Sequence, residues 1–527
     1  MRRIREPAIL ATLGLLLYPL TRLRIYAYEH DGSAYIGTAQ SLAAGRGYQF
    51  NGVPQTVFPP GLPLLLSPVA TASAATQHLV IALCGVLGLV LSWAWLSRRE
   101  ARWAFPLALL ILTNAVYYRL AAGSILAEVP FLVVCLGLLL WMDRAMASGR
   151  PSWLSVAAGV TLLVGALTFR SLGVALVGAA ALTLATGLVR RRLATRQAAA
   201  LGVLLAAGAA WTLWWMSWTA QRVTVEYPGE YANHYGTQMK LVNPEYPDSG
   251  MVTPAGAMAR LPRHAVRRAL DVTGLLGNVE YLPAILALPA VGFALLLGLG
   301  WWQEVAGPAP FAAWYAFCLL GILLLWPFGE GDRLLLPLLP MLLLYLVRGV
   351  RLVRDVTVRW LGASALAPWW PRAAWAGMAL VAVMGVRHIR AEGGANLRAE
   401  VATGPHASVH YASLWLREHL LPGQLVIAED QAPLALMTGH RVIRLPPTGR
   451  AAVLREAVEH WRPAYVVIND SIPYPFLRPQ EEERLAILQQ AMPGRLREVE
   501  RHAGGRIYAF DADSLMASPD RPAPVHR

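Results

Sequence analysis

Carboxylates and a histidine stand where long apolar runs of this chain begin or end. The stretch "EHDGSAY" places Glu29, His30 and Asp31 after the first apolar run, and "AEVPF" places Glu128 at the start of another. A carboxylate at such an edge is costly to desolvate, which raises its pKa and suits it to act as a general base. An ordinary interfacial acid is the alternative for Asp31. For Glu128 the alternative is an anion that stabilises a helix N-terminus.

Arginines stand at the ends of other apolar runs. Arg333 follows Glu330 and Asp332 in "FGEGDRLLLPLLP", and Arg170 lies in "LTFRSLG" between two runs. A guanidinium group binds a phosphate through two parallel hydrogen bonds, so both arginines suit an anionic substrate. The alternative for each is a snorkelling or salt-bridged residue at a membrane surface.

The composition indicates an integral membrane protein with many helices. Of the 527 residues, 56% are hydrophobic and only 15% are charged, and the mean hydropathy is +0.43. Apolar runs of about 17 to 25 residues recur, which is the length that a helix needs to cross a bilayer. Hydropathy predicts about eleven spans. They lie near residues 8–27, 76–97, 103–120, 124–142, 153–169, 172–189, 198–218, 281–302, 309–328, 333–350 and 373–390.

The net charge of +14 lies largely in short loops between the predicted spans. The densest clusters are "MRRIRE", "RRRLATR" and "RGVRLVRDVTVR". Such clusters orient a protein in the membrane and attract anionic lipid, so nucleic acid is not an expected partner. With the clusters inside, the N-terminus is cytoplasmic, and an odd number of spans places the chain after about residue 391 outside. We expect a multi-pass protein of the inner (plasma) membrane.

The last part of the chain changes character. Short apolar strands ("LVIAED", "RVIRLP", "AYVVIND", "GRIYAFDA") alternate with helical stretches ("YASLWLREHL", "AAVLREAVEHW", "EEERLAILQQAM"). Alternation of this kind predicts a small α/β domain with a partly parallel sheet. The predicted parts are a transmembrane region 1–390, an extracytoplasmic α/β domain 391–515 and a disordered tail 516–527.

The stretch "DGSAYIGTAQSLAAGRGY" predicts an amphipathic helix that lies along the membrane surface. Tyr35, Ile36, Ala39 and Leu42 fall on one face of that helix. The glycines that follow suit a helix C-terminus, and the proline-rich "FPPGLPLLLSP" then returns the chain to the membrane.

Together these stretches resemble the C-type glycosyltransferase superfamily (GT-C), and most closely its protein mannosyltransferase and aminoarabinose transferase clan. That clan has an acidic residue in the first external loop, a "Y…A.SL..G.GY" stretch and a "PPG.P" return. Asp31, Tyr35, "AQSLAAGRGY" and "FPPGLP" match these features. A second carboxylate near an "E.P" turn corresponds to Glu128, and an "RY..P..P" helix start corresponds to "RLLLPLLP", with Leu334 at the usual aromatic position. The likeness covers about residues 1–350, although "EHD" replaces the "DE" or "DxD" of many members.

The resemblance implies an inverting glycosyltransferase that moves a hexosyl or pentosyl group from a polyprenyl-phosphate-sugar donor. The acceptor would be a hydroxyl group of a protein, lipid or glycan outside the cytoplasm. Asp31 would be the base, Glu128 would orient the acceptor, and Arg333 with Arg170 would bind the donor phosphate. The residues expected to line the substrate cavity are His30, Tyr35, Glu330 and Asp332.

Other interpretations stay open at this point. A divalent metal bound by Glu29, Asp31 and Glu128 is one potential cofactor. Charges facing a cavity also suit ion coupling, so a polyprenyl-linked lipid flippase or transporter without transferase activity is the main alternative. The chain lacks the repeated halves that are usual in transporters. An inactive scaffold for envelope assembly is a further alternative.

Overall fold

The computed structural model describes most of the chain. The described residues are 2–25, 29–223, 239–243, 247–279, 283–307, 310–327, 331–361, 369–399, 407–469, 481–502 and 504–510. The first helices are α1 Arg2–Leu17, α2 His30–Ala43, α3 Gly61–Leu66, α4 Ala74–Arg99, α5 Ala104–Leu112, α6 Ala115–Tyr118, α7 Glu128–Ser148, α8 Trp153–Phe169, α9 Val174–Val189 and α10 Thr195–Ala220. They are followed by α11 Pro254–Gly277, α12 Ala287–Ala306, α13 Phe311–Leu325, α14 Gly331–Leu335, α15 Leu339–Leu361, α16 Trp369–Arg398, α17 Ala407–His419, α18 Gln431–Thr438, α19 Ala451–Trp461 and α20 Glu481–Ala491. The strands are β1 Gln49–Phe50, β2 Val53–Pro54, β3 Leu425–Ala428, β4 Arg441–Ile443, β5 Tyr465–Asn469, β6 Leu496–His502 and β7 Gly505–Phe510.

Within the described residues, six helices are long and apolar enough to cross a membrane. They are Ala74–Arg99, Glu128–Ser148, Ser171–Val189, Thr195–Ala220, Ala287–Ala306 and Asp332–Trp360. The bent pair Ala104–Leu112 and Ala115–Gly123, which meet at 59°, counts as a seventh if it forms one span. α8 and α13 are shorter apolar helices, and α1 covers only the first part of the predicted span 8–27. The predicted polytopic helical fold is confirmed, while the count of about eleven spans stays a prediction.

Two asparagines build the bend within the predicted span 103–120. The Asn114 side chain accepts a hydrogen bond from the Tyr117 amide at 2.9 Å and so caps α6. Asn278, whose φ is 56°, accepts hydrogen bonds from the Ala115 amide at 2.8 Å and from Asn114 Nδ2 at 3.1 Å. Asparagine side chains suit this position because they satisfy amides that a helix start leaves without partners.

Contacts between residues divide the chain into two compact units, each built from segments that are distant in sequence. The bundle unit comprises Met1–Arg24, Phe58–Gln221 and Thr253–Arg398. The sheet unit comprises Ile25–Val57, Arg222–Val252 and Ala399–Arg527. The predicted α/β domain therefore shares a unit with the segment that carries Asp31. The sequence limits predicted for the domains stay predictions, and the tail 516–527 lies outside the described residues.

Glycines let α12 and α15 of the bundle unit pack with their backbones in close contact. A Cβ atom on Gly300 would clash with the Tyr345 carbonyl oxygen, and one on Gly349 would clash with the Leu296 carbonyl oxygen. Small residues at such contacts are what allow membrane helices to approach each other. The packing holds α15, which continues the segment that begins with Arg333.

The sheet unit contains a five-stranded sheet with the strand order β4-β3-β5-β7-β6. β3 pairs in parallel with β4 and β5, whereas β7 is antiparallel to β5 and β6. The four predicted strands are confirmed as β3, β4, β5 and β7. The sequence did not predict β6 or α18. β6 ("LREVERH") is a charged edge strand with no fully buried residue, so it lacks the apolar run of a buried strand.

Helices cover both faces of this sheet. Val426 and Val467 pack with α17 and α18 on one face. The next residues along each strand, Ile427 and Ile468, pack with α19 and α20 on the other face. Successive side chains of a strand point to opposite faces, so runs of apolar residues are needed here.

The helix α2 and the β1–β2 hairpin belong to the sheet unit. The hairpin turns at Asn51 and Gly52, whose φ angles of 55° and 76° are typical of a two-residue turn. The Asn51 side chain accepts a hydrogen bond from the Val442 amide of β4 at 2.8 Å and donates one to the Val442 carbonyl oxygen. Phe50 packs against the core of the sheet, and α2 packs against α18. The helix that carries Asp31 is therefore held on the α/β domain.

Candidate active site

Three helix ends of the bundle unit bring one carboxylate and two guanidinium groups together. Glu128 is the first residue of α7 and is only 1% exposed. Arg170 follows the last residue of α8, and its Nη1 atom forms an ion pair with Glu128 Oε1. Arg333 lies in α14, and its Nε atom is 3.7 Å from the same oxygen. The structure thus joins three of the residues that the sequence singled out.

Two cationic groups meet one carboxylate in this cluster. Two guanidinium groups, Arg170 and Arg333, surround the single carboxylate of Glu128. The Arg170 and Arg333 side chains are 15% and 22% exposed, so they are sheltered from water but accessible. Charges interact more strongly in such a sheltered place than in bulk water. Two converging guanidinium groups are suited to hold an anion, and arginine favours phosphate or carboxylate.

An ion pair that the sequence did not predict lies on the same helical segment. Arg119 Nη2 is 3.0 Å from Asp332 Oδ2, and Asp332 Oδ1 accepts a hydrogen bond from the Arg333 amide at 2.8 Å. Asp332 is thus held next to the cluster, and its place in a substrate cavity stays a prediction. An arginine inside the apolar stretch "YYRLAAG" was the available signal for Arg119. Glu330 lies outside the described residues.

The predicted base Asp31 lies in the first turn of α2, within the sheet unit. His30 is the exposed first residue of that helix, and Tyr35 is buried. The predicted helix is present, but its buried residues occupy more than one face: Gly32, Ser33, Ala34, Tyr35, Ile36, Thr38, Ala39 and Ser41. The additional burial follows from packing against α18. The predicted position along a membrane surface and the predicted role of Asp31 as the base stay predictions.

Charged side chains gather at the carboxyl end of β3, close to the start of α2. Glu429 follows β3 and pairs with Arg444 and Arg484, with 2.6 Å between Glu429 Oε2 and Arg484 Nη2. The charges of Asp31, Arg444 and Glu429 all act on His30. Burial acts to raise the pKa of Glu429, but the two guanidinium groups outweigh it and hold this pKa below its ordinary value. Glu429 is therefore ionised, and its charge lies close to the start of the helix that carries Asp31.

Two further acids complete this charged region. Asp430 accepts a hydrogen bond from Asn469 Nδ2 at 2.8 Å, and Glu481 Oε1 accepts one from the Glu429 amide at 3.1 Å. Burial, and then the charges of Glu429 and Asp430, hold the pKa of Glu481 well above its ordinary range. The signal in the sequence was the "ED" that follows the buried strand in "LVIAED".

The potential metal ligands are distributed over both units. Glu29 and Asp31 belong to the sheet unit, whereas Glu128 belongs to the bundle unit and already contacts two guanidinium groups. Among the residues that the structure describes, no group of three or more His, Cys, Asp or Glu side chains has an arrangement that could hold a metal ion.

Solved structures share this architecture. The crystal structure of ArnT from Cupriavidus metallidurans bound to undecaprenyl phosphate aligns with a TM-score of 0.56 and 17% identity, over 97% of this chain and 99% of that chain. The crystal structure of the Archaeoglobus fulgidus oligosaccharyltransferase tethered with an acceptor peptide aligns with a TM-score of 0.56 and 13% identity, over 98% of this chain and 74% of that chain. The archaeal oligosaccharyltransferase AglB from Archaeoglobus fulgidus, in complex with an inhibitory peptide and a dolichol-phosphate, aligns with a TM-score of 0.54 and 14% identity, over 88% and 69% of the two chains. No protein-family model and no curated protein matches the sequence.

These likenesses define the class of fold. The aligned proteins are GT-C glycosyltransferases, and the alignments cover nearly the whole chain. The chain therefore has the GT-C fold, a polytopic membrane-protein fold, as the resemblance in the sequence predicted. At these identities the comparison concerns the fold, and the function is argued from the site.

Proposed function

We propose that this protein is a glycosyltransferase that takes a sugar from a polyprenyl-phosphate donor. The observation that carries the proposal is the convergence of two guanidinium groups, Arg170 and Arg333, on Glu128 at the ends of apolar helices. A lipid-linked phosphate needs apolar surface for its chain and cations for its head group. The fold supports the same class of donor, because its structural neighbours include complexes with undecaprenyl phosphate and dolichol-phosphate.

The proposed reaction is a direct displacement at the anomeric carbon. An acceptor hydroxyl oxygen forms a bond to that carbon as the bond from the carbon to the phosphate oxygen breaks. The proton of the hydroxyl passes to the Asp31 carboxylate, and the electron pair of the broken bond stays on the polyprenyl phosphate. Attack opposite the leaving group inverts the anomeric centre, and no covalent enzyme intermediate forms.

Arg170 and Arg333 stabilise the charge that grows on the departing phosphate. Donors held in place before the reaction stabilise such charge without reorganisation at the transition state. Glu128 holds the two guanidinium groups in position, which makes it a positioning residue in this proposal. The ion pair of Arg119 with Asp332 fixes the helix start that carries Arg333.

The finer proposals follow the predicted orientation of the chain. The transferred group is a hexosyl or pentosyl unit, and the acceptor hydroxyl belongs to a protein, lipid or glycan. The reaction takes place on the extracytoplasmic side of the inner (plasma) membrane, where the α/β domain also lies. These assignments depend on the positive-inside rule and on the resemblance of the "EHDGSAY" and "FPPGLP" stretches.

The test measures release of polyprenyl phosphate by purified protein in lipid vesicles, with a panel of polyprenyl-phosphate sugars and hydroxyl acceptors. We expect release by the wild type and its loss in Asp31→Asn, with donor binding retained. Glu459→Gln, an exposed acid on α19, is the control and is expected to keep full turnover. Full turnover in Asp31→Asn would remove this residue as the base. Donor that crosses the bilayer unchanged, without release, would show a flippase instead.

A further inference from the structure

An apolar slot with arginines at one end runs along the bundle unit, away from the candidate active site. The slot has a volume of about 680 Å³ and lies between α5, α11, α12, α15 and α16. Its walls are mainly apolar and include Leu107, Leu276, Phe293, Leu343 and Val347. A cavity with such walls on a membrane protein is suited to hydrocarbon.

The dimensions of the slot match one lipid chain in one leaflet. Its lining extends along α15 from Leu343 to Arg354, a rise of about 16 Å at 1.5 Å per residue. Half of the hydrocarbon core of a bilayer is about 15 Å thick. The slot is thus long enough for an acyl chain whose head group lies beside Arg354.

Three arginines line the same end of the slot: Arg102, Arg351 and Arg354. Arg351 pairs with Glu100 at 2.9 Å, and Arg354 pairs with the adjacent Asp355 at 2.6 Å. The Arg102 guanidinium lies 5.9 Å from the Trp103 ring centroid, and it has no carboxylate partner within the part of the chain that the structure describes. The end of the slot therefore carries an excess of one positive charge.

Tryptophans place this end of the slot at the depth of lipid head groups. Trp103 and Trp370 line the slot beside the arginines, and the Trp103 ring lies 5.4 Å from that of the exposed Trp375. Tryptophan is enriched where the hydrocarbon core meets the head groups. Arginine at the same level meets lipid phosphates rather than acyl chains.

We propose that this slot binds one anionic phospholipid of the surrounding membrane. Its acyl chain lies along α15, and its phosphate accepts hydrogen bonds from Arg102. Arg333 and Arg354 are 21 residues apart on the segment from α14 to α15, which corresponds to about 30 Å of helix, the thickness of the hydrocarbon core. The phospholipid and the proposed sugar donor are therefore different ligands at opposite ends of the bundle unit.

Two glycines provide a matched pair of variants that change the slot without changing charge. Gly377 lines the slot on α16, and a Cβ atom there would meet no atom within 4 Å. Gly298 on α12 has the same open surroundings but does not line the slot. Gly377→Phe fills the slot, whereas Gly298→Phe adds the same side chain elsewhere.

The experiment measures by native mass spectrometry how much dioleoylphosphatidylglycerol or dioleoylphosphatidylcholine the full chain retains. We expect the wild type to prefer phosphatidylglycerol about tenfold, and Arg102→Gln to lose about fivefold of that affinity while phosphatidylcholine binding stays unchanged. Arg196→Gln, an exposed arginine of α10 outside the slot, and Gly298→Phe should both match the wild type. Gly377→Phe should lose both lipids.

Several outcomes would overturn the proposal. Equal retention of the two lipids by the wild type would show that the arginines do not select an anion. Equal losses in Arg102→Gln and Arg196→Gln would show a diffuse charge effect. Displacement of the phospholipid from the wild type by an equimolar amount of undecaprenyl phosphate would assign the slot to the sugar donor.

Discussion

The two ends of the bundle unit each bury a carboxylate between two guanidinium groups. Glu128, at the start of α7, is one of these carboxylates, and its two arginines were described above. Glu304, in the last turn of α12, is the other, and it pairs with Arg99 and Arg348. Asp143 also pairs with Arg99 and lies 15 residues after Glu128 on α7, about 22 Å along the helix axis. The two clusters are thus separated by most of the hydrocarbon thickness.

The two clusters differ in how their arginines and carboxylates are paired. The cluster around Glu304 joins three arginines to three carboxylates: Arg99, Arg348, Arg351, Asp143, Glu304 and Glu100. Its arginines and carboxylates are equal in number, whereas at the other end two guanidinium groups converge on the Glu128 carboxylate. Two exposed arginines, Arg98 and Arg144, line a cavity of about 820 Å³ beside the balanced network, where water and ions screen them. Burial is similar at both ends, and we propose that the Glu304 network holds helices together whereas the Glu128 cluster binds an anion.

The largest effect is expected at the balanced end. Glu304→Gln would leave Arg99 and Arg348 with an uncompensated buried charge and should lower the free energy of unfolding by roughly 3 kcal/mol. Turnover of the folded protein should not change, because this cluster touches no substrate in our proposal. Thermal unfolding and polyprenyl phosphate release, compared with the exposed control Glu459→Gln, provide the measurement. A stable Glu304→Gln protein without turnover would reverse the roles of the two ends.

The next effect concerns the Glu128 cluster. Arg333→Gln removes one donor from the proposed phosphate site and should lower kcat by about 100-fold or more, with little change in the unfolding temperature. Arg348→Gln changes the corresponding arginine of the Glu304 network. It should lower the unfolding temperature and leave kcat nearly unchanged. If both variants lose stability and keep activity, the Glu128 cluster also serves only to hold helices together.

A smaller change separates charge from geometry. Arg333→Lys keeps the positive charge but loses the planar fork that binds phosphate through two hydrogen bonds. We expect kcat to fall by roughly tenfold, the equivalent of one hydrogen bond to a charged group. Steady-state release assays with wild type, Arg333→Lys and Arg333→Gln in parallel provide the comparison. Wild-type turnover in the lysine variant would show that charge alone suffices.

A further prediction concerns the sheet unit and the stability of α2, the helix that carries the proposed base Asp31. Asn51→Ala removes both side-chain hydrogen bonds to Val442 and should cost about 1 to 2 kcal/mol of the stability of this unit. Amide hydrogen exchange should become faster in α2 and stay unchanged in α7. Faster exchange in both helices alike would argue against the hairpin as a local anchor of Asp31.

The smallest effect is a dependence of stability on pH. The folded state raises the pKa of Glu481, so its stabilising contribution is complete below the ordinary glutamate pKa and is lost as pH rises through the raised value. Glu481→Gln keeps an oxygen for the Glu429 amide and removes this loss. Between about pH 5 and pH 9 the unfolding temperature of the wild type should therefore fall relative to that of the variant. A constant difference would mean that Glu481 does not titrate in this range.

Much of the fold was predictable because its signals are local. Apolar runs long enough for a bilayer predicted where the bundle helices lie, and short apolar strands predicted four strands of the sheet. The bend at Asn114 was not predictable, since it depends on Asn278, which is 164 residues away in sequence. β6 was not predicted because it, too, depends on a partner segment. Its hydrogen bonds with β7 form the strand, and an edge strand needs no apolar run of its own.

The sequence by itself determined which residue types stand at the ends of the apolar runs, and so it predicted Glu128, Arg170 and Arg333 as candidates. Only the tertiary structure decided which of the charges meet. Arg99 and Glu304 are 205 residues apart, and no local pattern marks them as partners. An arginine in a sequence shows its charge but not whether a carboxylate neutralises it, because that depends on helix packing. The same packing, rather than the composition of the "EHDGSAY" stretch, joined the helix of Asp31 to the α/β domain.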